Sequence, residues 1–216
     1  MSFVHGLWTK GVLAVKSQDI FLLLKLLSLE LPHGSREGGE GVKPSDALVE
    51  GGQAEALSVP EDYSVRGLAE STGVSKSEVA NALKRCTDVG LLKTDRYTGC
   101  PVVNRAGLYE FLAHGIRYVF PARLGELTRG IPTAVGAPVL ADKLMSGGDL
   151  VPVWSDAAGS CMGQSVEPLF KSVPMSVRRD PVLYDLLALT DALRVGKPRE
   201  HALAARMLAD RMAVAA

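Results

Sequence analysis

The sequence predicts a mainly α-helical protein that carries one small β-hairpin. Three observations predict this class. Apolar residues recur at helical spacing near both ends of the chain, helix-capping residues precede two short segments between residues 64 and 90, and six prolines lie between residues 121 and 174. Because proline interrupts long helices, the proline-rich stretch is expected to be irregular. The 216 residues, 47% of them hydrophobic, are enough to bury a substantial core.

The first predicted element is an amphipathic helix near the N-terminus. Ile20, Leu23, Leu24 and Leu27 follow the i, i+3, i+4, i+7 pattern of a helix with one buried face. The apolar run is interrupted by Lys25 and is much shorter than the roughly 20 residues that cross a bilayer. The N-terminus also lacks the pattern of a secretory signal. We therefore expect a core helix in a cytoplasmic protein without a membrane segment.

Residues 33–62 differ in composition from the rest of the chain. They contain six glycines and seven acidic residues against two basic ones. Such a segment buries too little apolar surface to fold by itself, so it predicts a flexible acidic insertion. An acidic docking segment for a basic partner is the alternative.

Two short helices separated by a tight turn are predicted next. The first runs from Val65 to about Ser71, with Ser64 as its N-cap, and Gly73 supplies the turn. Ser75 and Glu78 have the spacing of a capping box at the start of the second helix. Together these features predict a helix-turn-helix.

The second helix of this pair has one apolar and one polar face. Gly90 fits the left-handed residue that ends it. The predicted inner face consists of Val79, Ala82, Leu83 and Cys86. The predicted outer face carries hydrogen-bond donors suited to phosphates and base edges, and a helix of this width fits the DNA major groove. The outer face and its N-cap consist of Ser75, Lys76, Ser77, Asn81, Lys84 and Arg85.

A short hairpin, or wing, is predicted directly after this helix. Its strands fall at residues 91–93 and 102–103, around a tip at residues 95–99. Lys93, Arg96, Tyr97 and Arg105 lie on or beside it. Residues 64–105 hold seven Lys or Arg against four Asp or Glu, an excess of three in a chain whose net charge is zero. The local charge therefore predicts contact with double-stranded DNA, with a merely solvated surface as the alternative.

The segment GLAESTGVSKSEVANALKRCTDVGLL, residues 67–92, resembles the recognition unit of winged-helix bacterial transcription regulators of the MarR, IclR and related groups. The resemblance implies a winged helix-turn-helix, although it specifies neither operator nor ligand. Residues 117–138 and 180–204 resemble a second group of winged-helix regulators, which are often encoded beside nucleotidyltransferase-like proteins. This second resemblance covers most of the chain outside residues 33–62 and implies a regulator or an antitoxin-like partner.

A helix from Arg105 to about Tyr118 is predicted after the wing, with Asn104 as its cap. Its inner face would carry Leu108, Phe111 and Leu112. In winged-helix proteins this position commonly supplies dimer contacts, so we expect a homodimer.

The C-terminal half divides into two predicted parts. Residues 119–176 form the irregular proline-rich segment, with one short strand near 151–154. Three arginines in or just before this segment would either follow the phosphate backbone of DNA or form structural ion pairs: Arg117, Arg123 and Arg129. Residues 177–216 predict a helical hairpin around a Gly-Lys-Pro connection, too small to be stable alone. Residues 1–118, with the acidic insertion, form the predicted winged domain.

No motif in the sequence predicts catalysis or a cofactor. Phosphate-binding glycine loops, the GxSxG elbow and the HExxH motif are absent, and the four histidines are scattered. Three cysteines without CxxC spacing do not predict a zinc site. We therefore expect a dimeric DNA-binding repressor that is not an enzyme. The alternative is an antitoxin or adaptor that masks a protein partner, with DNA binding secondary.

Overall fold

The computed structural model describes residues 14–31, 59–141, 143 and 150–215. Of the predicted acidic insertion, only residues 59–62 belong to this part; residues 33–58 lie outside the described residues. The α-helices are α1 (Ser17–Glu30), α2 (Val65–Thr72), α3 (Lys76–Asp88), α4 (Arg105–Glu110), α5 (Ile116–Val119), α6 (Pro138–Ala141), α7 (Val173–Val177), α8 (Pro181–Val195) and α9 (Pro198–Met212). The strands are β1 (Leu92–Thr94), β2 (Pro101–Val103), β3 (Leu124–Pro132), β4 (Pro152–Ser155) and β5 (Cys161–Val166). The protein is thus mainly α-helical with a small β content, as predicted.

Helices α2 and α3 begin at the predicted caps. The Ser64 hydroxyl accepts a hydrogen bond from the amide of Gly67 at 3.0 Å, and the Ser75 hydroxyl accepts one from the amide of Glu78 at 3.4 Å. The predicted capping box is incomplete, because the Glu78 carboxylate does not return to the Ser75 amide. It accepts a 2.5 Å hydrogen bond from Gln18 of α1 instead. A long-range partner thus replaces the local one.

The predicted turn and helix end adopt left-handed backbone conformations. Gly73 has φ of +69° between α2 and α3, and Gly90 has φ of +78° after α3. Residues with a Cβ rarely adopt these angles, which explains glycine at both positions. Directly after Gly90, strands β1 and β2 pair antiparallel, with Leu92 opposite Val103.

Two apolar helices, α1 and α8, form the centre of the protein. All residues from Ile20 to Ser28 in α1 are buried, and so are those from Leu186 to Arg194 in α8. The two helices pack on each other, while α2 and α3 cover α1 and α9 covers α8. One hydrophobic cluster contains Leu23, Trp154 and Leu189, which come from all three predicted parts of the chain. The predicted C-terminal hairpin is present as α8 and α9, and it packs within the chain.

A buried ion pair joins these two central helices. Lys25 Nζ of α1 donates to Asp180 Oδ2 at 2.8 Å, and the Ser28 hydroxyl donates to the same oxygen at 2.7 Å. Asp180 also caps α8, since its Oδ1 accepts from the Leu183 amide at 2.8 Å. Burial by itself would raise the pKa of Asp180, but the hydrogen bonds from Lys25, Leu183 and Ser28 outweigh it and lower the pKa below its usual value.

This pKa shift predicts how stability depends on pH. A carboxyl group whose pKa is lowered by folding stabilises the protein above its unfolded pKa, about 3.9, and this contribution is lost as pH falls through the folded value. Asp180→Asn keeps a capping side chain but removes the charge. We expect the unfolding free energies of wild type and variant to differ by a constant amount between pH 5 and 7, as measured by urea denaturation. Below about pH 4 the difference should shrink; a difference that stays constant down to pH 3 would contradict this account.

The prediction of an irregular proline-rich segment was wrong over much of residues 119–176. Strand β3 pairs antiparallel with β5 along most of its length, and its last residues pair antiparallel with β4. Strands β4 and β5 pair in parallel, which closes a small three-stranded sheet. Two of the six prolines stand at strand ends, Pro132 at the end of β3 and Pro152 at the start of β4. They therefore delimit strands, a role compatible with the missing amide proton. Only β4 matches the short strand predicted near residues 151–154.

Glycines permit the close approach of the strands in this sheet. A Cβ atom at Gly159 would overlap the backbone of Gly130, and one at Gly163 would overlap the carbonyl oxygen of Val151. A side chain at Gly159 would push the connection between β4 and β5 away from β3, and one at Gly163 would push β5 away from the residue before β4.

Asp191 of α8 attaches the three-stranded sheet to the helical core. Its Oδ2 accepts hydrogen bonds from Trp154 Nε1 at 2.6 Å and from the Thr133 hydroxyl at 3.0 Å. Its Oδ1 accepts from Arg194 at 2.6 Å, and Arg194 donates further to the carbonyl oxygens of Phe120 and Glu167. Asp191 and Arg194 are both buried. One buried carboxylate therefore satisfies polar groups of both the three-stranded sheet and helix α8.

Candidate nucleic-acid interface

Helix α3 presents a continuous polar face. Its inner residues Val79, Ala82 and Cys86 are buried against the core, which fixes the rotation of the helix about its axis. Four of the residues that were predicted to contact DNA are exposed on the opposite side of the helix: Lys76, Ser77, Asn81 and Lys84. Ser77, Asn81 and Lys84 follow one another at i, i+4 and i+7, so their side chains line one stripe of the helix.

The exposed residue Ser75 lies at the N-terminal end of this stripe. Its hydroxyl already caps α3 and lies 3.3 Å from the hydroxyl of Ser77. The first amides of a helix carry partial positive charge, which favours an anion at this end. The beginning of α3 therefore combines exposed hydroxyls, an exposed lysine and the helix dipole.

Arg85 belongs to the scaffold, although the sequence predicted it on the outer face. Its Nε and NH2 donate to the two carboxylate oxygens of Asp19 in α1, at 2.8 and 2.6 Å. Asp19 is fully buried, and only 12% of the Arg85 side chain is exposed. The hydrogen bonds to Asp19 raise the pKa of Arg85 further above its usual value. This bidentate pair anchors α3 to α1, so we remove Arg85 from the predicted DNA-contacting residues.

Arg105 has a similar structural partner. Its guanidinium donates twice to Glu30 Oε2, at 3.0 and 3.2 Å, and the other oxygen of Glu30 accepts from the Val103 amide at 3.0 Å. Glu30 therefore connects the end of α1 to strand β2 and to the start of α4. One third of the Arg105 side chain remains exposed beside the hairpin.

Two acidic residues of α1 thus hold the predicted DNA-binding element, and the sequence analysis did not assign them a role. Asp19 lies three, four and seven residues before apolar residues of α1, so a carboxylate occupies the buried stripe of this helix. A charged residue on such a stripe requires a buried partner. This signal was available in the sequence and would have predicted an ion pair, but it does not identify Arg85 as the partner.

The hairpin tip is an ordered turn that exposes its basic and aromatic residues. Asp95 Oδ1 accepts hydrogen bonds from the amides of Tyr97 and Thr98, at 2.9 and 2.7 Å, and from the Thr98 hydroxyl at 2.9 Å. These hydrogen bonds, first those from Thr98, lower the pKa of Asp95. Lys93 and Arg96 are exposed, and Tyr97 is 89% exposed. An aromatic side chain so far from the core is available to a partner.

The exposed cations of α3 and the hairpin are not neutralised within the fold. Lys76, Lys84, Lys93 and Arg96 have no carboxylate within 4 Å among the residues that the structure describes. Surface cations without partners lose little on contact with phosphate, because no ion pair has to be broken. Asp88 is also exposed, but it lies at the C-terminal end of α3, beyond both exposed lysines of the helix.

The remaining predicted positions have varied surroundings. The helix after the hairpin buries Leu108 and Leu112 inside the chain, as predicted, whereas Phe111 is only half-buried. The helix also buries Ile116, which was not predicted, and contains one wider π-helical turn at Phe111–Gly115. Its buried apolar face is therefore used within the chain, and contacts with a second copy here would have to use its exposed residues, which include Tyr118 and Val119. The three arginines differ in setting, since Arg117 lies over the ring of Tyr118, Arg123 is exposed before β3, and Arg129 donates to the carbonyl oxygen of Gly159.

Metal-binding clusters and membrane-spanning helices do not occur in the described ranges. No group of three His, Cys, Asp or Glu residues gathers there in a way that could hold a metal ion. No described helix has both the length and the apolar character needed to span a bilayer. Burial raises the pKa of the Cys86 thiol to about 12, so this cysteine stays protonated and packs as a small core residue.

Comparison of the chain with protein-family models, with curated proteins and with solved structures gives no match. Evidence for function therefore comes from the geometry of α3, of the hairpin and of the residues that support them.

Proposed function

We propose that this protein is a sequence-specific double-stranded-DNA-binding transcriptional regulator, acting as a homodimeric repressor. One observation carries the proposal: α3 exposes Ser77, Asn81 and Lys84 as a continuous stripe beside a hairpin that exposes Arg96 and Tyr97. The order of α1, α2, α3, β1 and β2 supports the proposal, because it is the order expected of a winged helix-turn-helix. In such a domain α3 would enter the major groove while the hairpin contacts the adjacent backbone.

We expect the residues of this surface to contact different parts of the DNA, according to their chemistry. Asn81 has an amide that pairs with the N6 and N7 edge of adenine, so it would read sequence. Lys76 and Lys84 are point charges suited to phosphate, as are Lys93 and Arg96 of the hairpin. Arg85 supports this surface indirectly, because its ion pair with Asp19 fixes α3 on α1. In a dimer, two copies of α3 would bind half-sites about 34 Å apart.

The proposal is tested by binding of the full-length protein to DNA from upstream of its own gene and to an unrelated duplex of equal length. Fluorescence anisotropy across a salt series gives both affinities. We expect tighter binding to the upstream DNA, with log affinity falling linearly against log salt concentration. Equal, weak binding to both duplexes would overturn the proposal.

A more specific prediction concerns Asn81→Ala. We expect this variant to lose about 1–3 kcal/mol of discrimination between its preferred site and unrelated DNA, because one bidentate base contact is removed. Affinity for the unrelated duplex should stay unchanged, which makes that duplex the internal control. If affinity for both duplexes fell equally, Asn81 would contact the backbone instead of a base.

A second function, a protein-interaction module such as an antitoxin or adaptor, is favoured by a different surface. Leu124 and Leu127 on β3 and Met162 on β5 are large apolar side chains that are 46%, 59% and 56% exposed. Exposed apolar surface on one sheet is the kind of surface that binds another protein. A nucleotidyltransferase-like protein is the partner proposed from the sequence resemblance. Co-purification with such a partner, together with unselective DNA binding, would favour this function over repression.

A further inference from the structure

A cavity of about 460 Å³ lies between the three-stranded sheet and the junction of α8 and α9. Its walls come from β3, β4, β5, the short turn at Ala134–Gly136 and the end of α8. The position is remote in sequence from the proposed DNA-binding element, and among its lining residues only Leu124 was assigned a functional role above, as part of the exposed surface that favours the second function. The volume falls within the roughly 300–1,000 Å³ of pockets that bind small molecules.

The chemical character of the lining is mostly apolar. Leu124, Val135, Leu150, Pro152 and Val195 supply this surface. Water in such a cavity finds few hydrogen-bonding partners, so its displacement by an apolar molecule is favourable.

The cavity is held open by the fold around it. Val195 ends α8 directly after Arg194, which is fixed by its hydrogen bonds to Asp191, Phe120 and Glu167. On the sheet side of the lining, the Thr133 amide donates to the Pro152 carbonyl oxygen at 2.8 Å. Both walls are therefore anchored independently of a ligand, and binding requires little reorganisation.

The polar groups at the cavity limit the charge of the ligand. Lys197 and Glu200 have opposite charges that balance each other, and the Glu200 carboxylate already accepts a 2.7 Å hydrogen bond from the Lys197 amide. A charged ligand would therefore meet no net opposite charge. Gln164 of β5 adds a neutral amide, with one donor group and one acceptor, to the lining.

We propose that this cavity binds an uncharged, largely apolar small molecule that carries a hydrogen-bonding group for Gln164. The site is independent of the proposed DNA-binding function, and its test needs no DNA. Failure of one proposal is therefore distinguishable from failure of the other.

The test uses the neutral fluorescent amine N-phenyl-1-naphthylamine, whose emission rises when it leaves water, with the full-length protein. We expect saturable binding of one probe per chain. Two variants fill the cavity from different lining elements, Val195→Phe at the end of α8 and Val135→Phe in the turn at Ala134–Gly136, and each should weaken binding at least tenfold. Val119→Phe makes the same change at a residue that is 53% exposed and should bind like wild type. Circular dichroism confirms that each variant is folded.

A second arm tests the charge of the ligand without any variant. The anionic probe 1-anilinonaphthalene-8-sulfonate has a similar aromatic body, and wild type should bind it at least tenfold more weakly than the neutral amine. Absence of saturable binding of the neutral amine would overturn the proposal. Equal or tighter binding of the sulfonate, or unchanged affinity in a folded cavity-filling variant, would overturn it as well.

Discussion

Asp191→Ala is expected to lower the free energy of unfolding by about 3–5 kcal/mol. The substitution leaves Arg194 buried without its carboxylate and removes the acceptor of Trp154 Nε1 and of the Thr133 hydroxyl. Unpaired buried charges and donors each cost free energy, because they lose water without gaining a partner. Urea denaturation followed by far-ultraviolet circular dichroism measures this loss.

Asp185→Ala is the matched control for Asp191→Ala. Asp185 lies on the same helix and also pairs with an arginine, Arg211, at 2.7 Å, but 29% of its side chain is exposed. A partly exposed ion pair contributes at most about 1 kcal/mol, so this variant should remain close to wild type. Equal, small losses in the two variants would show that Asp191 does not attach the sheet to the core.

Arg85→Ala is the second substitution with a large expected effect, again about 3–5 kcal/mol of stability. It leaves the carboxylate of Asp19 fully buried and without its bidentate partner. The neighbouring Lys84→Ala removes an exposed side chain and should change stability by no more than about 0.5 kcal/mol.

Variants of these two adjacent residues therefore distinguish direct contact with DNA from structural support of α3. Lys84→Ala should weaken DNA binding with stability unchanged, whereas Arg85→Ala should lower the midpoint of thermal unfolding. The melting temperatures of the two variants, measured side by side, check this division. An Arg85→Ala protein as stable as Lys84→Ala would mean that the ion pair with Asp19 does not hold α3 in place.

Features decided by neighbouring residues were predictable from the sequence. Ser64 and Ser75 cap helices because their hydroxyls reach amides three residues ahead, and Gly73 and Gly90 occupy left-handed conformations that local geometry imposes. The C-terminal hairpin follows from apolar periodicity around Gly196 in the same way. None of these predictions required knowledge of a distant partner.

Strand β3 was missed because it lacks the alternation by which strands are recognised. Its first four residues are all exposed, and its pairing with β5 shifts register between Leu124 and Leu127. Such a strand carries no period-2 pattern of apolar side chains. The sheet is instead defined by glycines that let strands approach closely and by Asp191, whose partners lie 37 and 58 residues away in sequence.

The sequence predicted the candidate interface only in part, because one of its residues has a partner that is distant in sequence. Periodicity identified the exposed stripe of α3, since Val79, Ala82 and Cys86 face the core. It could not distinguish Lys84 from Arg85, because the partner of Arg85 lies 66 residues earlier, in α1. A basic residue beside an exposed stripe is equally compatible with DNA contact and with an ion pair to a distant acid.

The most direct test of the account compares the salt dependence of DNA binding in wild type and in Lys76→Ala/Lys84→Ala. Each phosphate contact contributes about 0.9 to the slope of log affinity against log salt concentration, so the double variant should have a slope shallower by about 2. Lys171→Ala, at an exposed lysine before α7, should keep the wild-type slope. A double variant with the wild-type slope and affinity would contradict the claim that this face of α3 binds DNA.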